Sequence, residues 1–181
     1  DFVGTIAAAG CTTFIVHARN AILKGLSPKE TREIPPLKYD VVHRLKRDFP
    51  QLEIIINGGI KSIAEIDEQL RHVDGVMLGR EAYHNPYLMA EFDARYFGDT
   101  AMPPSRLDVL NAMIPYLERT LAPSRSGTAQ GPRLNSITRH MLGLMAGMPG
   151  ARSFRQMLSD SAKLAKGDPS LLLEACASMQ L

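Results

Sequence analysis

Only two of the 181 residues are cysteine, Cys11 and Cys176, and they stand far apart. That excludes a disulfide framework and a CxxC metal site, so no metal is expected, and it suits a reducing, cytoplasmic compartment. No apolar run approaches the roughly 20 residues of a membrane-spanning helix, and no basic segment leads into a short apolar one as in a secretory signal. Internal repeats and low-complexity tracts are absent too, which excludes solenoids. Strong net charge is also lacking: 21 Lys and Arg against 19 Asp and Glu leave +2. That balance hides an asymmetry. Residues 1–99 carry 12 basic against 14 acidic side chains (−2), and residues 100–181 carry 9 against 5 (+4). A polyanion would therefore prefer the second half.

What is present is enough apolar material, 45% of the residues, to bury a core in one domain or two small ones. Three short β-rich runs, Thr13 to His17, Glu53 to Ile56 and Gly75 to Leu78, read as parallel strands buried on both faces. Helical patterns alternate with them. Asp40 to Phe49 has Val41, Val42 and Leu45 on its apolar side. Ser62 to His72 opens with a Ser62–Glu65 capping box, and Asn85-Pro86 starts a helix that runs to about Gly98. Alternation of strand and helix gives an α/β class with a parallel sheet. Polar residues cluster after the carboxyl end of every strand, as in a (β/α)8 barrel. Past the Pro-rich "GDTAMPPSR" no strand pattern remains. Ser105 and Asp108 form a second capping box ahead of Leu107, Leu110, Ile114, Leu117 and Leu121. A flexible loop, "APSRSGTAQGP", is followed by helices over Leu134–Met145, Arg152–Lys166 and Pro169–Met179.

The stretch "EIIINGGIKS" runs a strand into Asn57, Gly58 and Gly59. Two glycines let backbone approach a ligand closely, and their N–H groups can cradle a phosphate. The next strand ends in Gly79-Arg80, a second glycine followed by a guanidinium that can fork onto an anion. Consecutive strand ends of this kind match the phosphate site that barrels build after their last two strands. The plainer alternative is a tight turn, with Arg80 paired to an acid such as Glu81. The first strand ends in "FIVHARNAILKGLSPKETREIPPL". There His17 and Arg19 point the same way, and a neutral imidazole could donate to a flavin or nucleobase carbonyl; the alternative is a hydrogen-bonded core histidine. Lys24, Lys29 and Arg32 make the following loop basic, which suits a large anionic substrate, or they are solvated charges offset by Glu30 and Glu33.

With "HARNAILKGLSPKETREIPPL", "INGGI", "VMLGREAYHNPY" and "RLNSITRHMLGLMAGMPGARSFRQMLS", the chain closely resembles the A-type tRNA-dihydrouridine synthases. The resemblance implies the carboxy-terminal part of an FMN-binding (β/α)8 TIM barrel, residues 1–99, followed by an all-α helical tRNA-binding bundle, residues 100–181. It implies that His17 contacts the flavin, and that Asn57, Gly58, Gly59, Gly79 and Arg80 hold the region of the FMN phosphate. The implied reaction is reduction of uridine to dihydrouridine in the D-loop of tRNA, at positions 20 and 20a. Hydride goes from reduced FMN to C6 of uracil and a proton from a cysteine to C5, after NADPH has reduced the flavin. In such enzymes the cysteine, and a lysine that contacts the flavin ring, precede the position of Asp1. The expectation is thus a fragment inactive on its own, in which three strands leave two open sheet edges and an uncovered face. Cys11, in "AAAGCTTF" at the amino end of a strand, is expected to be a small buried residue.

On Arg152–Lys166 the residues Arg152, Arg155, Ser159, Lys163 and Lys166 recur at helical spacing opposite Phe154, Leu158 and Leu164. Such a stripe is either a solubilising face or a set of phosphate contacts, and the resemblance favours the latter. Arg152 and Arg155 are the candidates, with Lys29 and Arg32 facing them and with Arg139 and His140 as a weaker pair. The expected partner is tRNA, and the expected state a monomer. The rival readings are a non-catalytic RNA-binding module and another FMN barrel oxidoreductase acting on a small substrate.

Overall fold

The computed structural model describes residues 2–22, 25, 27–31, 33–122 and 131–179, and the chain divides into two compact units, residues 1–81 and 82–181. In the first, α1 (Phe2–Ala8) precedes β1 (Thr13–His17). There follow α2 (Pro28–Thr31), α3 (Tyr39–Asp48), β2 (Glu53–Asn57), α4 (Ile63–Leu70), β3 (Gly75–Met77) and α5 (Arg80–His84), within which the unit ends. The strands form one parallel sheet in the order β1-β2-β3, which establishes the α/β class.

Register decides which residues share a face. Phe14 pairs with Ile54, and Val16 with Ile56. Ile54 and Ile56 are fully buried, because α3 lies against β2 and α4 against β3, bringing in Val42 and Ile66. Thr13, Ile15 and His17 pair with Glu53, Ile55 and Asn57, and the last two pair with Gly75 and Met77. This second face is open: Ile15 is 59% exposed and Met77 41%. The expectation of strands buried on both faces is corrected accordingly, because the helices cover one face only. Val41 is also exposed where an apolar contact was expected; it sits one residue, about 100° of helix, away from Val42, which takes the place against the sheet. Cys11 is exposed rather than buried, since it precedes β1 and its thiol reaches only the Thr13 carbonyl oxygen, at 3.4 Å. The Ser62–Glu65 capping box forms as expected.

Asp74 locks the covered side of the sheet. Its carboxylate accepts from the Ile54 N–H at 2.8 Å and meets Lys46 Nζ at 2.8 Å. Burial pushes the Asp74 carboxyl up, but these hydrogen bonds and the lysine charge outweigh it and hold the group below its usual value.

The second unit holds a 3₁₀ turn over Pro86–Glu91, α6 (Phe92–Tyr96), α7 (Arg106–Leu121), α8 (Leu134–Thr138), α9 (Ala151–Met157), α10 (Ser161–Leu164) and α11 (Leu171–Ala177). Its described residues contain no strand. Leu110 and Leu117 of α7, Leu134 of α8, Phe154 of α9 and Leu172 and Ala175 of α11 form one buried cluster, with α11 packed on both α7 and α9. The Ser105–Asp108 box caps α7 as expected, while Leu107, in its first turn, is exposed. Arg106 lies over the Tyr87 ring, 3.9 Å from its centroid, and donates to the Leu144 carbonyl. Burial pulls its guanidinium below the usual value.

Three expected helices are shorter. Asn85 is non-helical, and the helix expected from there to Gly98 is a 3₁₀ turn followed by α6. Leu134–Met145 is helical only to Thr138, and turns follow through Gly150, in which the N–H groups of His140, Met141 and Leu144 reach back three residues rather than four. Arg152–Lys166 breaks in two because the Asp160 carboxylate captures the N–H groups of Ala162 and Lys163, which starts α10 afresh. Lys166 lies beyond α10, so the five-residue stripe expected on one helix does not exist as such; Arg152 and Arg155 alone share α9. None of the described helices is long and apolar enough to cross a membrane.

Candidate functional site

The open face of the sheet ends in a row. His17, Asn57 and Met77 are cross-strand neighbours at the carboxyl ends of β1, β2 and β3, and the Asn57 Nδ2 donates to the Met77 sulfur at 3.4 Å. His17 is exposed, not a core histidine. Directly after Asn57 the chain turns through Gly58 (φ 129°) and Gly59 (φ 74°), conformations that side chains other than glycine's adopt at a cost.

The segment 35–39 returns over this turn and fixes it. Arg19 Nε donates to the Pro35 carbonyl at 2.8 Å, and the Lys38 N–H to the Ala18 carbonyl at 2.7 Å. The Ala18 N–H donates to the Asn57 carbonyl at 2.7 Å, and the Tyr39 hydroxyl to the Gly58 carbonyl at 2.7 Å. Leu37 fills the space above: a Cβ on Gly59 would come 2.7 Å from Leu37 Cδ1. A Cβ on Gly58 would come 3.5 Å from His17 Cε1, so His17 stands beside the turn. Arg19 is therefore a scaffold residue.

At the next strand end Gly79 borders open space, with nothing within 4 Å of where a Cβ would stand. Arg80 Nη1 donates to Glu33 Oε1 at 2.6 Å, and each side chain is half-exposed. The partner is thus Glu33 rather than the neighbouring Glu81, and an anion placed at Gly79 would share the guanidinium with that carboxylate. Glu30 instead caps the loop, accepting from the Ser27 N–H at 2.8 Å; hydrogen bonds from the Ser27 side chain and backbone hold its carboxyl below the usual value. Lys29, on α2, is exposed, while Arg32 and Lys24 lie outside the described residues.

Arg152 and Arg155 are both exposed and one turn apart on α9, opposite the buried Phe154. Arg155 also borders a cleft of about 250 Å3 together with Arg139, His140, Tyr83 and His84. Sequence reasoning named the first two of these partners weakly and missed Tyr83 and His84. Spacing could not have found them, because Tyr83 and His140 are 57 residues apart.

Residues 1–180 match the sequence model of the family described as dihydrouridine synthase (Dus). The chain belongs to the dihydrouridine synthase family. It is 55% identical over 98% of its length to a protein named tRNA-dihydrouridine(20/20a) synthase from Pseudomonas syringae pv. tomato, covering 50% of that relative. It is 52% identical over 97% of its length to the protein so named from Salmonella typhi, covering 51% of it. For that of Escherichia coli K12 the figures are 51% identity, 97% of this chain and 49% of the relative. The chain spans about half the length of these curated relatives. The row His17–Asn57–Met77 and the turn Gly58–Gly59 lie side by side at the carboxyl ends of the strands. This end of the sheet carries an amide and an imidazole beside a turn packed under Leu37, with open backbone at Gly79 and a guanidinium at Arg80.

Proposed function

We propose that the chain is the carboxy-terminal part of an FMN-dependent, NADPH-using enzyme that reduces uridine to 5,6-dihydrouridine in the D-loop of tRNA, at positions 20 and 20a. Its residues 1–99 then supply the last three strands of a (β/α)8 barrel, and residues 100–181 a helical tRNA-binding bundle. The observation that carries this reading is membership of the dihydrouridine synthase family across residues 1–180, joined to a polar row and a glycine turn at the carboxyl ends of parallel strands, where barrels keep their sites. The cytoplasm goes with it, and for the whole enzyme a monomeric state.

The donor set fits a flavin nucleotide. Asn57 offers both an amide donor and an acceptor. His17 offers an imidazole beside the turn, the open backbone at Gly79 would let a phosphate group come close, and Arg80 would offset its charge, while the Gly58–Gly59 turn itself is packed under Leu37. When bound, FMN would supply the hydride. This chain's residues would bind and orient it, while Leu37 and Tyr39 keep the Gly58–Gly59 turn in its left-handed conformation. Cys11, at the opposite end of β1 from His17, is no candidate for the proton donor. Lys29, Arg32, Arg152 and Arg155 would contact tRNA phosphates.

Two titrations of the purified chain test this. FMN fluorescence should be quenched on addition of the chain, less so with Asn57→Ala and with Arg80→Gln. tRNA binding should weaken with rising salt, and Arg152→Gln with Arg155→Gln should flatten that dependence. Absence of both signals would sink the reading. tRNA binding without any flavin signal would leave the non-catalytic RNA-binding module.

A further inference from the structure

The cleft that Arg155 borders lies wholly within residues 82–181. One wall is Tyr83 and His84, and the other is the run of turns after α8, from Arg139 to Ala146. Gly143 is what lets the walls meet: a Cβ there would overlap the His84 carbonyl oxygen. At the mouth, the Tyr83 hydroxyl and the His140 Nδ1 are 2.8 Å apart, and their rings meet edge to face with centroids 5.8 Å apart. A hydroxyl donating to Nδ1 puts the imidazole proton on Nε2, as a donor. Leu142 and Ala146 make part of the lining apolar.

The charge at this cleft is of one sign. Arg139 and Arg155 are exposed, no acidic residue lines the space, and among the described residues neither arginine forms an ion pair. Arg106 of the same unit is committed to Tyr87 and Leu144, and Arg80 of the other to Glu33. Two guanidiniums left to solvent beside an apolar recess and an exposed tyrosine ring are the complement of a nucleotide, a planar base on an anionic backbone. The volume, about 250 Å3, falls below the roughly 300–1,000 Å3 of small-molecule pockets. It therefore admits a single base rather than a dinucleotide cofactor.

We propose that this cleft holds one unstacked nucleotide of single-stranded RNA, its base against Leu142, Ala146 and Tyr83 and its flanking phosphates on Arg139 and Arg155. The proposal rests on the reading of the chain as tRNA-binding and adds to it a base-sized recess distinct from the row at His17. Its test uses the whole chain and a fluorescent oligouridylate, beside the matching abasic ribose-phosphate oligomer and inorganic phosphate. Arg139→Gln and Arg155→Gln should each weaken the oligouridylate about tenfold, against less than about twofold for Arg44→Gln, an equal loss of charge in the other unit. Ala146→Leu fills the recess without altering charge; it should weaken the oligouridylate severalfold and leave the abasic oligomer unchanged. In the unmodified chain, uridine monophosphate should move the His84 and His140 ring proton signals in NMR spectra and leave those of His43 and His72 in place. Equal binding of oligouridylate and abasic oligomer, or movement with inorganic phosphate as great as with the nucleotide, would overturn the base recess in favour of a plain anion site. Unmoved His84 and His140 signals would overturn it entirely. Whole tRNA binding and FMN quenching that survive in Ala146→Leu would leave the synthase reading standing without it.

Discussion

Residues 82–181 close a core around Phe154, Leu110, Leu117 and Leu172, each with no exposed surface, whereas in the sheet of residues 1–81 only Ile54 and Ile56 are so enclosed. The difference is one of partners rather than of composition. "TFIVH" and "EIIIN" are equally apolar to the eye, yet Ile56 is fully buried and Ile15 is 59% exposed. α3 and α4 cover one side of the sheet, and the side that carries His17 and Asn57 is left open. A short apolar strand announces that it needs cover without saying which of its faces has it.

The contrast is sharpest under truncation of the core. Phe154→Ala should lower the stability of the helical unit by about 3–5 kcal/mol, and Ile54→Ala that of the sheet unit by about 2–5 kcal/mol. Urea unfolding followed by far-ultraviolet circular dichroism should show the first change in the main helical transition and the second mostly outside it. One transition shifted equally by both would mean that the units unfold together, and the comparison would fail. A smaller pair refines the helical side. Gly147 and Gly150 share nearly the same positive φ, but a Cβ on Gly147 meets nothing within 4 Å while one on Gly150 would overlap the Met179 carbonyl. Gly147→Ala should cost about 1 kcal/mol of backbone strain and Gly150→Ala distinctly more, measured by the same titration.

These pairs also mark what the sequence could and could not disclose. All three strands were legible to within a residue, because short β-rich runs bounded by turn residues have few other fates. Both capping boxes were legible because Ser62 with Glu65, and Ser105 with Asp108, act within one turn of helix. Beyond Leu134 the reading lengthened the helices, since apolar spacing persists past Thr138, where α8 gives way to turns, and past Asp160, whose carboxylate starts α10 afresh. At the row of strand ends, the sequence put Asn57, Gly58 and Gly59 in place. It could not show that Leu37 and Tyr39, some twenty positions earlier, would press on that turn, or that Glu33 would take Arg80. Such contacts depend on how a loop folds back, and no periodicity encodes that.

Acid separates the units by a lesser effect. Asp74 in the sheet unit and Asp108 in the helical unit are both held below the usual carboxylate value. Asp74 is lowered by the Ile54 N–H and Lys46 against the opposing pull of burial, and Asp108 by the Ser105 hydroxyl and backbone N–H. A carboxyl depressed in the folded state stabilises above its unfolded pKa, near about 4, and that contribution is lost as pH falls through the folded value. Both units should therefore lose stability as pH drops from about 5 towards 2. Asp74→Asn should lower stability at neutral pH and flatten the acid loss of the sheet unit alone, and Asp108→Asn should do so for the helical unit alone. Thermal melts at stepped pH decide it; an unchanged pH profile in Asp74→Asn would remove that carboxylate from the acid response.

The smallest effect on stability belongs to the open face. Ile15 contributes little to the fold, because most of its side chain is already in water, so Ile15→Ser should change the unfolding free energy by no more than about 0.5 kcal/mol. Its effect should lie in association instead. Ile15 and the 41%-exposed Met77 border Ile55 on one sheet face whose cross-strand neighbours are polar only at its ends, Thr13 with Glu53 and His17 with Asn57. An apolar strip of this kind beside an unpaired strand edge favours self-association. Sedimentation velocity over a range of concentrations should show the unmodified chain associating and Ile15→Ser associating less, with Leu107→Ser, an exposed leucine on the helical unit, unchanged from the parent. Equal association of all three chains would mean that the open face is stable in water as it stands. The two units would then differ in how they are covered, but not in how far each depends on a partner.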